Sequence, residues 1–378
     1  MEAHRQLVHI GVGAFALLLR WLTWPQAALL AVAAIAFNAL VLPRLAPRLL
    51  RTADHGRVWT SGLVMYPMAV LALVLVFRSR LDLAATAWAV LAAGDGMATL
   101  VGAHVRTAPL PWNREKSVGG LLAFLAAGGA AAAAMQWWCG PAPVDLWMLG
   151  AAVLAAVVAG FAETVPVRLD DNLTVPAVAA AVLWGTSVMN PAVLVATAGA
   201  AAWWMVPLNM AVALAGWAAR TVTPAGAITG AIIGSLILIG AGVAGWAVLM
   251  ATFLFAAVTT RLGHARKAAA GIAEARGGRR GPGNAIANTG IAACAAFVAA
   301  GMADPAPAFL ALAAALATSG SDTVASEVGK AWGRTTVLVT SLRRVPKGTS
   351  GAISLQGTLA GVVSAAAIAA AGAWLGLV

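Results

Sequence analysis

The stretch that decides the fold reads Gly94-Asp95-Gly96-Met97-Ala98-Thr99-Leu100-Val101-Gly102, and it closes an apolar run over 83–103. Pro111-Trp112-Asn113-Arg114-Glu115-Lys116-Ser117-Val118-Gly119-Gly120 follows it. A second pair of segments has the same design: Ser321-Asp322-Thr323-Val324-Ala325-Ser326-Glu327-Val328-Gly329, then Arg343-Arg344-Val345-Pro346-Lys347-Gly348-Thr349-Ser350-Gly351. Asp95 and Asp322 are 227 positions apart, and Lys116 and Lys347 are 231 apart. Each copy puts a carboxylate at the end of an apolar helix, ahead of a loop rich in Gly and cations. Acids and Lys/Arg gathered at one water-facing rim of a membrane protein point to metal and phosphate chemistry on a lipid.

Of the whole chain, 61% is hydrophobic and 10% charged, against about 25% charged in a soluble domain. Apolar runs recur from end to end, which predicts an all-α, polytopic integral membrane protein. Residues 7–22 lack a small-residue cleavage site and do not read as a cleaved signal. Cys139 and Cys294 have no CxxC spacing, so neither a disulfide framework nor a zinc site is expected. The net charge of +11 lies between the apolar runs, where it reads as a topology signal rather than a nucleic-acid surface.

The runs give thirteen expected spans: 6–23, 27–43, 62–77, 83–103, 118–137, 146–163, 173–189, 192–219, 225–240, 243–260, 285–302, 305–326 and 350–377. Alternation then puts all Lys and Arg except Arg20, Arg78 and Arg80 on one side, which predicts a cytoplasmic N-terminus. Both acidic segments end at the cytoplasmic surface in this scheme. The chain then reads as two parallel-repeat halves, 1–190 and 191–378. The Ala-rich composition suggests a bacterial inner membrane.

Glycines beside Asp95 let a backbone or a phosphate come close. Asp95 reads as a metal ligand, or as a carboxylate paired with Arg114 or Lys116 for structure alone. Asn113 and Lys116 precede Ser117-Val118-Gly119-Gly120, a helix start whose free amides suit an anion. An ordinary capped span is the alternative, and no GxxxxGK[ST] loop is present. Glu163, Asp170, Asp171 and Asn172 offer oxygen ligands of the kind Mg²⁺ takes when it carries phosphates, or form a solvated loop. In the second copy Asp322, Ser326 and Glu327 fall on neighbouring turns, and Asn284 and Asn288 share a helix face. Arg343, Arg344 and Lys347 precede Gly348-Thr349-Ser350-Gly351. The basic run over 261–280 suits anionic lipid heads or serves topology only. Arg5 and His9 lie one turn apart.

The first copy resembles the CTP-dependent lipid kinases that include phytol kinase, dolichol kinase and yeast-type diacylglycerol kinase. The matching residues are Arg5…His9, the Gly94-to-Gly102 and Pro111-to-Gly120 segments, and Glu163…Asp170-Asp171-Asn172…Pro176. The second copy resembles the integral-membrane family containing chloroplast phytyl-phosphate kinase. Its matches are Gly226…Gly230, Gly281…Asn284…Asn288, Asp322-Thr323…Ala325-Ser326-Glu327, and Val345-Pro346…Gly348-Thr349…Gly351…Gly357-Thr358. Members of that second family continue with an Asp-Ser…Gly-Ala helix not found before Val378, so the second site is expected to be incomplete or to borrow ligands. Both patterns also resemble the CTP-using phosphatidate cytidylyltransferases.

The resemblance implies a bifunctional isoprenoid-alcohol kinase. The first half would phosphorylate a prenol such as phytol or geranylgeraniol, and the second half would add another phosphate. CTP would be the donor and Mg²⁺ the cofactor. Asp95, Glu163, Asp170, Asp171, Asp322 and Glu327 would serve the metal. Lys116 and Lys347 would be catalytic beside Asp95 and Asp322. Asn113, Ser117, Gly119, Gly120, Asn284, Asn288, Arg344, Gly348, Thr349, Ser350 and Gly351 would bind phosphate. The implied partners are the prenol, its monophosphate, a nucleotide and the bilayer, without nucleic acid; a homo-oligomer stays open. Other readings are a cytidylyltransferase making a CDP-lipid, and a polyprenyl-phosphate transporter.

Overall fold

A computed structural model describes residues 2–45, 59, 61–166, 169–273 and 278–378. Arg48, Arg51, Arg57, Arg168 and Arg276, used above for topology, lie outside the described residues. The chain divides into two compact units, Met1–Ser187 and Val188–Val378.

In the first unit, α1 (Glu2–Gly13) runs into a 3₁₀ segment, Ala14–Arg20. α2 (Trp24–Ala36) starts at a Thr23–Gln26 capping box and continues through a π-helical segment, Phe37–Val41, into α3 (Leu42–Leu45). α4 is Gly62–Val76. α5 (Leu81–Ala89) passes through a π-helical segment, Val90–Asp95, into α6 (Gly96–His104). A hairpin of β1 (Pro109–Leu110) and β2 (Asn113–Ser117) leads into α7 (Val118–Cys139). α8 (Leu146–Glu163) is capped by Asp145, which accepts from the Met148 amide, and α9 is Asp171–Ser187. Small side chains let these helices approach closely. Ala85, Ala87, Ala152, Ala155, Ala156 and Ala159 are fully buried in the same core as Phe124 and Leu91.

The second unit holds α10 (Pro191–Ala200), α11 (Met205–Ala218), α12 (Pro224–Arg261), α13 (His264–Ala269), α14 (Pro282–Gly301) and α15 (Ala306–Trp332). A hairpin of β3 (Thr336–Leu338) and β4 (Ala352–Ser354) then leads into α16 (Leu355–Trp374). Its core is Ile237, Val248, Ala292, Ala296, Leu312, Leu316 and Ile368. A methyl on Gly240 would lie 1.9 Å from the Ala296 carbonyl oxygen, so α12 and α14 touch backbone to backbone there.

Two expectations are corrected. Among the described residues two small antiparallel sheets join helices, so the chain is mainly helical rather than strictly all-α. Among the described residues eight helices, not thirteen, are long and apolar enough to cross a membrane; a ninth requires counting α9 and α10 together. Apolar run length overcounts spans where helices are short or broken. The 62–77 run yields a 15-residue helix, about 22 Å long against a hydrocarbon core of about 30 Å. The 192–219 run splits into α10 and α11. The 225–240 and 243–260 runs meet inside α12 at Gly242, whose φ of 64° and ψ of −162° are non-helical, so the break expected between them is present although α12 counts once among the eight. The orientation drawn from strict alternation of thirteen spans therefore no longer follows. Large apolar side chains such as Leu29, Leu30, Ile232 and Val363 lie exposed on the helices. Water would penalise that surface and lipid accepts it.

Candidate functional site

Asp95 closes the π-helical segment inside the long α5–α6 stretch. A π turn widens the helix and often marks a functional position. The glycines around it are filled by protein. A methyl on Gly94 would lie 2.8 Å from the Phe124 ring, and one on Gly96 would lie 2.4 Å from Ile10. Their smallness thus admits α7 and α1 rather than a ligand. α1 brings His9 Nε2 to 3.6 Å from Asp95 Oδ2. The His9 backbone carbonyl accepts from Tyr66 Oη at 3.4 Å, and Trp88 Nε1 donates to Tyr66 Oη at 2.7 Å.

The hairpin carries Lys116 to the carboxylates. Trp112 Nε1 donates to Thr164 Oγ1, and Asn113 Nδ2 to the Thr164 carbonyl oxygen, both at 3.0 Å. Those two bonds fix β2 against the end of α8. Lys116 Nζ then bonds Glu163 and lies 3.3 Å from Asp171 Oδ2. Burial alone would lower the Lys116 pKa, but the charges and hydrogen bonds of Glu163 and Asp171 outweigh it and hold the ammonium above the ordinary lysine value.

Asp95, Glu163 and Asp171 each turn one oxygen inward, all within 4.8 Å of one another. Among the described residues no other group of three such side chains comes together. Three hard oxygen donors at this spacing fit a divalent cation of the Mg²⁺ type. Asn172 Oδ1, on the next residue, is buried without a hydrogen-bond partner. An orphaned acceptor of that kind suits a ligand proton.

Other residues expected here hold structure. Asp170 Oδ1 accepts from the Asn172 backbone amide (2.9 Å) and from Asn172 Nδ2 (2.8 Å), so it caps α9 and stands outside the ligand trio. The amides expected to face an anion are already used. Gly120 N–H donates to Ser117 Oγ at 3.1 Å, and Gly119 N–H to Thr107 Oγ1 at 2.9 Å. Asn113 is spent on Thr164.

The second unit repeats one local arrangement and departs from another. A methyl on Gly102 would lie 3.4 Å from Ser117 Oγ, and one on Gly329 would lie 3.1 Å from Ser354 Oγ. A methyl on Gly120 would approach the Ala98 carbonyl oxygen at 3.1 Å, and one on Gly357 the Ala325 carbonyl oxygen at 2.5 Å. Ser354 caps α16 by accepting from the Gly357 amide at 3.2 Å. The helix start therefore lies at 354–357, not at Ser350-Gly351, and Ser117 and Ser354 are 237 positions apart. In that register Lys116 corresponds to Ile353. Lys347, Arg343 and Arg344 are exposed, and no ion pair joins Lys347 to Asp322 among the described residues.

Glu327, expected as a metal ligand, is buried and held by two cations: Lys267 Nζ, itself fully buried, and Lys330 Nζ at 3.2 Å. Lys267 also donates to the Thr260 carbonyl oxygen at 2.8 Å. Sequence reading gave Lys267 no individual role, because one lysine in a basic loop carries no sign of burial. Asp322 faces a cavity of about 420 Å³ with Arg279, Arg280, Asn284, Asn288 and Ser326. Asn284 and Asn288 thus share this cavity with Asp322, and the arginines join them. Gly348, Thr349, Ser350 and Gly351 line a different cavity, of about 600 Å³, with Asp322, Ser326, Lys330 and Thr358.

Residues 207–378 match the family described as "Integral membrane protein DUF92". The chain is 42% identical over 161 residues to the "Uncharacterized membrane protein sll0875" of Synechocystis sp., a match covering 42% of this chain and 62% of that protein. It is 38% identical over 149 residues to "Protein VTE6, chloroplastic" of Arabidopsis thaliana, covering 38% of this chain and 45% of that protein. It is 28% identical over 192 residues to "Probable phytol kinase 3, chloroplastic" of Glycine max, covering 46% and 60% respectively. The chain thus spans less than two thirds of the length of these relatives. No solved structure matches. Together with the eight long apolar helices, these matches establish a helical integral membrane protein.

Proposed function

We propose that the chain is a membrane-embedded isoprenoid-alcohol kinase with two sites. The first unit converts a prenol to its monophosphate, and the second converts the monophosphate to the diphosphate, at the expense of a nucleoside triphosphate, CTP by resemblance. The observation that carries this reading is the convergence of Asp95, Glu163 and Asp171 on one point beside Lys116. The relative named as a phytol kinase supports the substrate class. The recurrence of the Gly–Ser–Gly contact in both units supports two related sites.

Asp95, Glu163 and Asp171 would hold Mg²⁺, which supplies charge neutralisation for the nucleotide phosphates. Lys116, kept charged by its two carboxylate neighbours, is positioned to meet the transferring phosphoryl group as a point charge. The prenol hydroxyl oxygen bonds to the γ-phosphorus while the bond to the bridging oxygen breaks. The hydroxyl proton passes to a carboxylate of the trio, and the nucleoside diphosphate leaves. An apolar groove between α4 and α9, lined by Leu73, Phe77, Leu173, Pro176 and Trp184, suits the isoprenoid tail, and Leu173 follows Asp171 by two residues on α9.

The test is incubation of the purified full chain in nanodiscs with labelled CTP, Mg²⁺ and a panel of prenols. Mono- and diphosphates with CDP release are expected. Pyrophosphate release with a CDP-lipid product would replace the reading by nucleotidyl transfer.

A further inference from the structure

The second unit differs from the first in the charge of its site, and the difference matches its substrate. The first site gathers three carboxylates and one lysine, which suits a neutral alcohol that must lose a proton. The second offers Arg279 and Arg280 with Asn284 and Asn288 around Asp322, while its buried Glu327 is already matched by Lys267 and Lys330. A phosphate monoester needs no base, because most of it is doubly ionised at neutral pH. It needs donors and positive charge.

Three cavities meet around this place. The arginine–asparagine cavity shares Arg280, Asn284 and Asn288 with an apolar groove lined by Ile233, Leu249 and Phe253 of α12 and Ala285 of α14. It shares Asp322 and Ser326 with the cavity lined by 348–351, Lys330 and Thr358. The arginine–asparagine cavity, at about 420 Å³, and the 348–351 cavity, at about 600 Å³, are both of ligand size. One wall is thus common to an arginine–asparagine pocket that continues into the α12 groove and a wider pocket that combines the 348–351 loop and Lys330 with Leu338, Val339 and Ile353.

We propose that this wall separates acceptor from donor. The phosphate of a prenyl monophosphate sits against Arg280, Asn284 and the second Nδ2 hydrogen of Asn288, whose first hydrogen goes to the Asn284 carbonyl oxygen at 2.8 Å and whose Oδ1 accepts from Ser319 Oγ at 3.2 Å, with the first carbons of its tail in the α12 groove. The nucleoside triphosphate occupies the 348–351 cavity, and Asp322 and Ser326 stand between them. An oxygen of the monophosphate then bonds to the γ-phosphorus, the bond to the bridging oxygen breaks, and the nucleoside diphosphate leaves with that electron pair. Buried Lys267 pairs with Glu327, which also meets Lys330 Nζ at 3.2 Å on the donor side. This inference rests on the two-site kinase reading but assigns sides that reading left open.

The experiment uses the full chain in nanodiscs with geranylgeranyl monophosphate and CTP. Arg280→Gln is expected to raise KM for the monophosphate about tenfold or more while leaving KM for CTP within about twofold. Lys330→Gln is expected to give the opposite pattern. A reversed pattern, or both constants moving together in both variants, overturns the partition. A second measurement guards against loss of activity or folding. Labelled geranylgeranyl monophosphate should bind the wild type without nucleotide, resist competition by geranylgeraniol, and bind about tenfold more weakly to Asn288→Asp, which sets a like charge against the phosphate. Should the wild type bind the monophosphate in this way yet make no diphosphate, the kinase reading of this unit falls and the anion pocket stands. Competition by geranylgeraniol at equal strength, or unchanged binding to Asn288→Asp, removes the pocket itself.

Discussion

Two neighbouring carboxylates at the start of α9 do different work, and substitution separates them. Asp171 points into the trio, so Asp171→Asn should raise the Mg²⁺ concentration giving half-maximal monophosphate formation by at least about tenfold. Asp170 caps the helix, so Asp170→Asn should leave that concentration unchanged, and Asp170→Ala should cost about 1 kcal/mol in unfolding. Equal Mg²⁺ shifts in the two Asn variants would remove Asp171 from the metal. In the second unit, Lys267→Met should destabilise by about 3 kcal/mol, since it takes from buried Glu327 its buried partner. Lys267→Met combined with Glu327→Leu should regain most of the loss, as read by denaturant unfolding in detergent. At this scale the sequence was informative where residue type is tied to chemistry. Asp95, Lys116, Glu163 and Asp171 stood out as unusual charges and do come together. It misled where one residue type serves two purposes. Gly119 and Gly120 looked like an anion cradle, yet they admit Thr107 and the α6 backbone. Lys347 sits at the expected spacing but on an exposed loop, because the two hairpins differ in length and a fixed offset crosses them at the wrong residue.

Helices in this protein are held by contact between small residues, and a single element shows the consequence. Gly160 of α8 faces the Phe124 ring, where a methyl would lie 2.7 Å from Cδ1, whereas Gly150 of the same helix has nothing within 4 Å. Phe124 is fully buried and cannot retreat. Gly160→Ala should therefore cost about 1–3 kcal/mol by overpacking, while Gly150→Ala should be neutral or gain up to about 1 kcal/mol from helix propensity. Thermal unfolding of the two variants checks this, and equal midpoints would show that α8 does not rely on that contact. Because Gly160 precedes Glu163 by three residues, Gly160→Ala should also weaken Mg²⁺ activation. The apolar pattern located most helices, since a run of apolar residues in lipid has few other options. It did not reveal that 62–77 and 192–219 hold short helices or that Val90–Asp95 is π-helical. Those features depend on which neighbour fills the space beside each turn, as Phe124 does at Gly94 and Ile10 at Gly96.

Over the whole molecule, the division at Ser187 and Val188 sets each proposed site inside its own compact unit. The trio of Asp95, Glu163 and Asp171 draws only on the first unit, and the cavities around Asp322 only on the second. If each site is complete within its unit, the two reactions should fail separately. Asp95→Asn should reduce prenol monophosphate formation by at least about 100-fold while leaving diphosphate formation from added monophosphate near wild type, and Asp322→Asn should do the reverse. Monophosphate released by one protein is a substrate for the other. Nanodiscs carrying Asp95→Asn protein, mixed with nanodiscs carrying Asp322→Asn protein, should therefore convert prenol to diphosphate where neither preparation does so alone. The mixture should show a lag, since the intermediate must build up in free solution before the second unit is supplied. If each substitution abolishes both reactions and mixing restores nothing, the charges of the two units serve one shared centre, and the assignment of one phosphate to each unit is wrong.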